Sequence, residues 1–532
     1  MSGLPCGWKV ERIGDICEPS QYGYTAKAKS SGSVHYLRTT DITSGAVEWD
    51  TVPFCELTEA EAAKYLLADG DVVISRAGSV GYSHLVRSPQ RSVFASYLIR
   101  FRPLISPDYF AYFLNTPEYW SAISEQSMGI AVQNVNATKL AEIEIPVAPR
   151  AEQTRIVEKL EELLGSLDAA VAELKAAQRK LGHYRQSLLK AAMEGALTAQ
   201  WRAAQAVPPL PPGEGRGEGL PAKKQPSSAL RAPSPEGRRN SSGADLLHRI
   251  LQARRTRWEE KQQAKFAQTG KAPPKGWQAK YPEPVAPDTT DLPALPDGWV
   301  WATIDQLSFV VRGASPRPAG DPQFFGGDIP WITVGSLTAD ETMYLDSVEQ
   351  FVTPAGRDAS RYIEPNTLLL TNSGATLGVP KITRIGGCIN DGSVALLDVE
   401  QPMRTYLYWF LRTQTKRLRA MNQGAAQPNL NTDIVRNICV PLCGLAEMFQ
   451  INETLEKSVD AISAQQTAIT HALHQAAAQR RNLLRAAFSG QLVPQDPNDE
   501  PASALLARIR AARADNAKPA AAKRGRKSKA TA

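Results

Sequence analysis

The stretch IEIPVAPRAEQTRIVEKLEELLGSLDAAVAELKAAQRKLGHYRQSLLK, residues 143–190, decides how this chain is organised. It opens on a short apolar run. Leu160, Leu164, Leu167, Val171, Leu174, Gln178, Leu181, Arg185 and Leu188 then follow at alternating steps of four and three. That spacing predicts a helix with a heptad seam, built to pack on another helix. Behind ICVPLCGLAEM at 438–448 the pattern returns as Leu455, Val459, Ile462, Gln466, Ile469, Leu473, Ala476, Arg480 and Leu483. A helix of about 45 residues is roughly 65–70 Å long.

Other blocks repeat in the same order. LPCGW at 4–8 returns as LPDGW at 295–299, and HYLRTTDIT is answered by PWITVGSLT. DVVISRAGSVG at 71–81 is answered by NTLLLTNSGATLG at 366–378, and LLKAAMEGALT at 188–198 by LLRAAFSGQLV at 483–493. Ordered blocks at nearly one offset identify a tandem duplication. Each copy begins with short β-rich runs punctuated by Gly, Pro and Asn, followed by aromatic helical stretches, which predicts mixed α and β structure. The expected fold class is therefore α+β: two similar mixed modules joined by two long helices packed as an antiparallel coiled coil, with pseudo-two-fold symmetry.

The expected divisions are 1–150, first module; 151–199, first long helix; 200–243, a low-complexity disordered insertion; 244–268, a short helical echo; and 269–294, a Pro-rich linker. Then come 295–445, second module; 446–493, second long helix; 494–512, short helix; and 513–532, a basic disordered tail. On an antiparallel seam Gln178 falls opposite Gln466. Such a pair either locks the register at some cost in stability or lies at the seam margin.

Composition narrows the class. The chain has 532 residues, 42% hydrophobic and 22% charged, and no apolar run approaches the length of a membrane span. With no hydrophobic leader at its start, a cytoplasmic location is expected. The net charge of +7 is concentrated in residues 513–532, which carry seven Lys/Arg against one Asp, so the body is close to neutral. Cys6, Cys17, Cys55, Cys388, Cys439 and Cys443 form no C-x-x-C pair, and structural thiols are expected. There is no G-x-x-x-x-G-K-[ST] phosphate loop and no Asn-Pro-Pro-Tyr-like methyltransferase motif. His471 and His474 share a helix face without a third ligand nearby, so no metal site is expected.

The block I-x-[IV]-P followed by A-E-[QM] and the long helix resembles the boundary between recognition domain and helical region in the Type I restriction–modification specificity subunits. It stands here as Ile143, Ile145, Pro146, Ala151, Glu152 and Gln153, and again as Ile438, Val440, Pro441, Ala446, Glu447 and Met448. The second Pro that often follows in that family is missing from both copies. The resemblance implies a non-catalytic reader of double-stranded DNA, in which each target-recognition domain reads one half of a bipartite site. It implies assembly with two methyltransferase (M) subunits and two restriction/translocase (R) subunits. S-adenosylmethionine, ATP and Mg would sit on those partners, with no cofactor in this chain. The helices alone also permit a protein-binding scaffold, and the unmatched insertion permits a damaged subunit.

Base discrimination needs Arg, Asn, Gln, Ser or Thr on loops. In the first module the candidates are Arg38, Thr39 and Thr40, then Arg76, Gly78 and Ser79, then Gln133 and Asn134. In the second they are Thr333 and Ser336, then Asn372, Ser373, Gly374 and Thr376, then Gln427 and Asn429. Arg76 aligns with Asn372 and Arg38 with Thr333, the kind of difference two half-sites require. Asn136 and Asn431 or Thr432 also fit helix N-caps.

Overall fold

The computed structural model describes residues 3–43, 46–127, 134–206, 242–270, 272–374, 376–421 and 430–517. The chain divides into two compact units, one made of 1–177 and 468–532, the other of 178–467. Both long helices are present, Arg150–Met193 and Leu445–Phe488, and each unit contains a segment of both.

In the first unit, strands Gln21–Tyr22, Leu98–Phe101, Val72–Ser75 and Ser83–Leu85 form an antiparallel sheet in that order. A second sheet has Phe54–Cys55, Val34–Leu37 and Ser92–Phe94. Beneath them lies a core of Tyr109, Phe110, Phe113 and Tyr119 with Ile156, Leu160 and Leu164 of the first long helix and Leu484, Ala487 and Phe488 of the second. Asp168 meets Arg480, while Glu152 meets Gln495. Gln495 lies seven residues past the end of the second helix, so rising numbers on the first helix meet falling numbers along the second and the segment after it, and the two helices run antiparallel here.

The second unit repeats this plan. Strands Phe309–Arg312, Ser393–Leu397, Thr367–Thr371, Pro380–Thr383 and Tyr344–Leu345 form one sheet, and Phe351–Val352, Phe325–Ile332, Gly387–Ile389 and Arg361–Ile363 another. Its core gathers Tyr406, Leu407 and Phe410 with Leu188, Leu189 and Ala192 of the first long helix and Met448, Ile451, Leu455 and Val459 of the second.

The duplication extends to single hydrogen bonds. Lys9–Arg12 pairs antiparallel with Glu144–Val147, as Val300–Thr303 does with Cys439–Leu442. Tyr109 OH donates to the Pro146 carbonyl, and Tyr406 OH to that of Pro441. The tryptophans of LPCGW and LPDGW donate from Nε1 to Glu152 and Glu447, both at 2.9 Å. The first residue of each echo helix donates to the glycine before that tryptophan: Ala502 N to Gly7 O at 2.8 Å, Gly243 N to Gly298 O at 2.7 Å. These contacts explain why A-E and L-P-x-G-W occur twice: the glutamate is the acceptor that a buried indole N–H requires.

The two latches differ in charge. Glu447 also accepts from Thr198 and from Arg202, whereas Glu152 accepts from the neutral Gln495. Burial raises the Glu152 carboxyl above its ordinary value, against the pull of Trp8 and Gln495. A folded-state pKa above the unfolded one means that the ionised form is penalised in the fold. This contribution to stability is therefore greatest below pH about 4.5 and is lost as pH rises through the folded value. Glu152→Gln is expected to change stability by less than about 1 kcal/mol at pH 8, whereas Glu447→Gln, which breaks an ion pair, lowers it clearly. Thermal unfolding of both variants at pH 5 and pH 8 checks the contrast.

Some expected boundaries move. Residues 200–206, expected to open the disordered insertion, belong to the helix Ala199–Ala206; 207–241 lie outside the described residues. Gly243, placed in the insertion, is the first residue of the helix Gly243–Thr269, capped by Ser242, and a Cβ there would overlap the Leu442 carbonyl. In the Pro-rich linker, Trp277 is buried and stacks on Trp258 at 5.7 Å, so this segment folds back on the helix before it. The helix Ala502–Ala517 runs into the expected tail, of which 518–532 lie outside the described residues. Gln178 is exposed and Gln466 half-buried, which favours the seam-margin reading over a buried pair.

Candidate nucleic-acid interface

Strand Val72–Ser75 is fully buried and delivers Arg76 at its end. The chain then reverses through Gly78 and Gly81, at φ +77° and +86°, values that a side chain would strain. Ser75 Oγ donates to the Ser79 carbonyl, and Gly81 N donates to Ser75 O at 2.9 Å, which closes the turn. In the second module strand Thr367–Thr371 delivers Asn372, and Gly374 and Gly378 sit at φ +75° and +81°. Thr371 Oγ1 donates to Thr376 O at 2.6 Å and Gly378 N to Thr371 O at 2.8 Å. The two loops close in the same manner, the second with one residue more, and they carry different side chains.

Neighbouring segments fix both loops in the same way. Arg76 N donates to Tyr97 O and Asn372 N to Gly392 O, both at 2.9 Å. On the other side Val135 N donates to Arg76 O and Leu430 N to Asn372 O. Tyr22, on the strand beside Leu98–Phe101, occupies the register position that Arg312 holds beside Ser393–Leu397. Three equivalent positions therefore carry different chemistry: Tyr22 and Arg312, Arg76 and Asn372, Tyr97 and Gly392.

The outcomes for individual candidates differ. Arg38 is turned onto Asp41, with Nη2–Oδ1 at 2.7 Å and Nε–Oδ2 at 3.1 Å, and helps to cap the short helix Thr39–Ile42. Thr40 is exposed beside Asp41, whereas the Thr39 hydroxyl is enclosed without a partner. Thr333 caps the turn Val334–Thr338 and shares a hydrogen bond with Ser336. Ser79, Gly78 and Gly374 are exposed, Ser373 and Thr376 half-buried, and Asn372 is fully enclosed. Asn136 and Asn431 are N-caps, to Lys139 N and Ile434 N, both at 2.8 Å. Gln133, Gln427 and Asn429 lie outside the described residues.

Eleven enclosed side-chain N or O atoms among the described residues lack a hydrogen-bond partner in the chain. Five belong to residues of the sequence-based set: Thr39 Oγ1, Arg76 Nε, Asn134 Oδ1, and both Nδ2 and Oδ1 of Asn372. An enclosed polar atom left unpaired costs about 1–3 kcal/mol, so these positions are not optimised for the stability of the chain alone.

Four residues missing from the sequence-based set lie beside these loops. Tyr97 is 61% exposed at the tip of its turn, and Tyr22 is 40% exposed. Arg312 donates from Nε to Asp391 O at 2.9 Å. Asn390 joins Asp391, Arg317, Trp331, Phe325 and Phe351 in lining a cavity of about 750 Å³. Nothing local in YGY at 22–24 or NDG at 390–392 links these stretches to the loops. Among the described residues no group of three or more His, Cys, Asp or Glu is placed to hold a metal, and no helix is long and apolar enough to cross a membrane.

Residues 5–176 and 296–473 match the family model described as Type I restriction modification DNA specificity domain. The specificity subunit of the Type I restriction enzyme StySPI from Salmonella potsdam is 29% identical over 212 residues, 37% of this chain and 45% of that one. The EcoKI specificity subunit of Escherichia coli K12 is 27% identical over 212 residues, with the same shares. The chain thus spans less than half the length of the curated relatives it matches. In fold, it resembles a chain from a structure of the assembly and conformational transition of a type I R-M system, at a TM-score of 0.59 and 15% identity, covering 92% of this chain and 100% of that one.

Proposed function

The chain belongs to the Type I restriction modification DNA specificity family, and from that premise we propose that it is the DNA-reading, non-catalytic subunit of a Type I complex. Each module reads one half of a bipartite site. Partner methyltransferase subunits modify adenine at that site, and partner restriction/translocase subunits cleave. S-adenosylmethionine, ATP and Mg are held by those partners. The observation that carries this reading is the pair of loops after Ser75 and Thr371, anchored by equivalent hydrogen bonds to neighbouring segments and different in side chains. A repeated frame with exchanged side chains is what two unlike half-sites need, since specificity comes from base edges and not from the phosphate contacts that position a protein.

Long-read methylation mapping of host DNA tests it, after co-expression of this chain with its cognate methyltransferase. The expected result is one modified motif, two short blocks around a fixed unread gap. An assembled complex that yields no motif overturns the reading and favours a scaffold.

A further inference from the structure

We infer that Arg76 reads a guanine in the half-site of the first module, and that Tyr22 is the positioning residue that holds its guanidinium over the ring. This rests on the reading of the modules as DNA readers and adds a base and a mechanism.

The two arginines among the first-module candidates have opposite surroundings. The Arg38 fork is occupied by Asp41. Arg76 makes no ion pair among the described residues, and its enclosed Nε has no partner. Its guanidinium carbon lies 5.0 Å from the centroid of the Tyr22 ring. Tyr22 is held in turn, because its hydroxyl accepts a hydrogen bond of 2.9 Å from Ala137 N. The Arg76 backbone is clamped on both sides, by Tyr97 O and by Val135 N, and Ala77 bridges to Asn134.

A guanidinium held over an aromatic face loses part of its rotational freedom while its terminal N–H groups stay available. That arrangement suits bidentate recognition, and the acceptor pair O6 and N7 of guanine is the base edge an arginine fork matches best. A residue meant only for phosphate attraction needs neither the stack nor the clamp, since phosphates accept a point charge from many directions. The second module cannot repeat the device. Its equivalent positions hold Asn372, fully enclosed, and Arg312, engaged with Asp391 O.

The experiment is methylation mapping with the full chain in complex with its methyltransferase, for wild type, Arg76→Ala, Tyr22→Leu and Tyr22→Phe. The wild-type block of the first module should contain a G·C pair. Arg76→Ala should relax that one position, lowering its discrimination roughly ten- to a hundredfold, and leave the other block intact, which also shows that the variant folds. Tyr22→Leu should relax the same position to a smaller degree than Arg76→Ala, and Tyr22→Phe, which keeps the ring but loses its anchor to Ala137 N, should relax it less than Tyr22→Leu. An unchanged block in Arg76→Ala, relaxation at a position other than G·C, or uniform weakening across all sites would each overturn the inference alone. Absence of any two-block motif with wild type would overturn the underlying reading with it.

Discussion

Replacing Glu447 by alanine is expected to destabilise the second unit by roughly 3–5 kcal/mol, the largest loss of any single side chain considered. The carboxylate is 7% exposed on its side chain and accepts from three donors: Trp299 Nε1, Thr198 Oγ1 and Arg202. Truncation leaves a partly buried guanidinium without its counter-charge and a buried indole and hydroxyl without acceptors. Each such group costs the full price of its desolvation. The same change at Glu152 strands Trp8 and Gln495 but no cation, so a loss nearer 2 kcal/mol is expected. Denaturant unfolding of the two variants compares them directly. Equal losses would show that the Arg202 pair contributes nothing beyond the shared Trp–Glu bond.

Gly313→Ala is expected to cost about 3 kcal/mol and to abolish reading of one half-site while sparing the other. Gly313 lies at the end of its strand, where a Cβ would overlap the Asn390 carbonyl oxygen. The obstacle is backbone, so no rotamer change relieves it. Either the strand Phe309–Arg312 or the turn 390–392 must move, and that turn anchors Asn372 through Gly392. Gly23 stands in the same relation to Ala95 in the first module, beside the turn that anchors Arg76 through Tyr97. Gly23→Ala should therefore remove the complementary block. Methylation mapping of both variants separates the modules. Loss of both blocks from either one would mean that the damage is not local.

The fold was legible because its signals are short-range. Heptad spacing and repeated blocks such as LPCGW and LPDGW can be read within a window of a few turns. Gln178 shows where that reading fails. A strict seven-residue repeat drifts against a helix of 3.6 residues per turn, and at this point Ala176 and Ala177 are half-buried instead. The loops at 76–79 and 372–376 were legible from glycine spacing. Tyr22, Tyr97 and Arg312 were not, because they reach the surface through pairing between strands far apart in sequence, which leaves no local signature. The role of Glu152 and Glu447 was hidden for the same reason: a charged residue at a helix start reads as a solvated end until its indole partner is known.

The order in which ribosomes deliver these segments has a consequence for the first unit. Its core needs Leu484, Ala487 and Phe488, and then Leu505, Leu506 and Ile509, more than three hundred residues after the module they complete. At translation rates of about 5–20 residues per second, the nascent first module waits roughly 15–65 s with its apolar face unpaired. The second unit has its upstream helix in hand before its own strands emerge, and needs only the residues that follow at once. The half made first is thus finished last, and it is the half whose apolar face stays uncovered longest during synthesis.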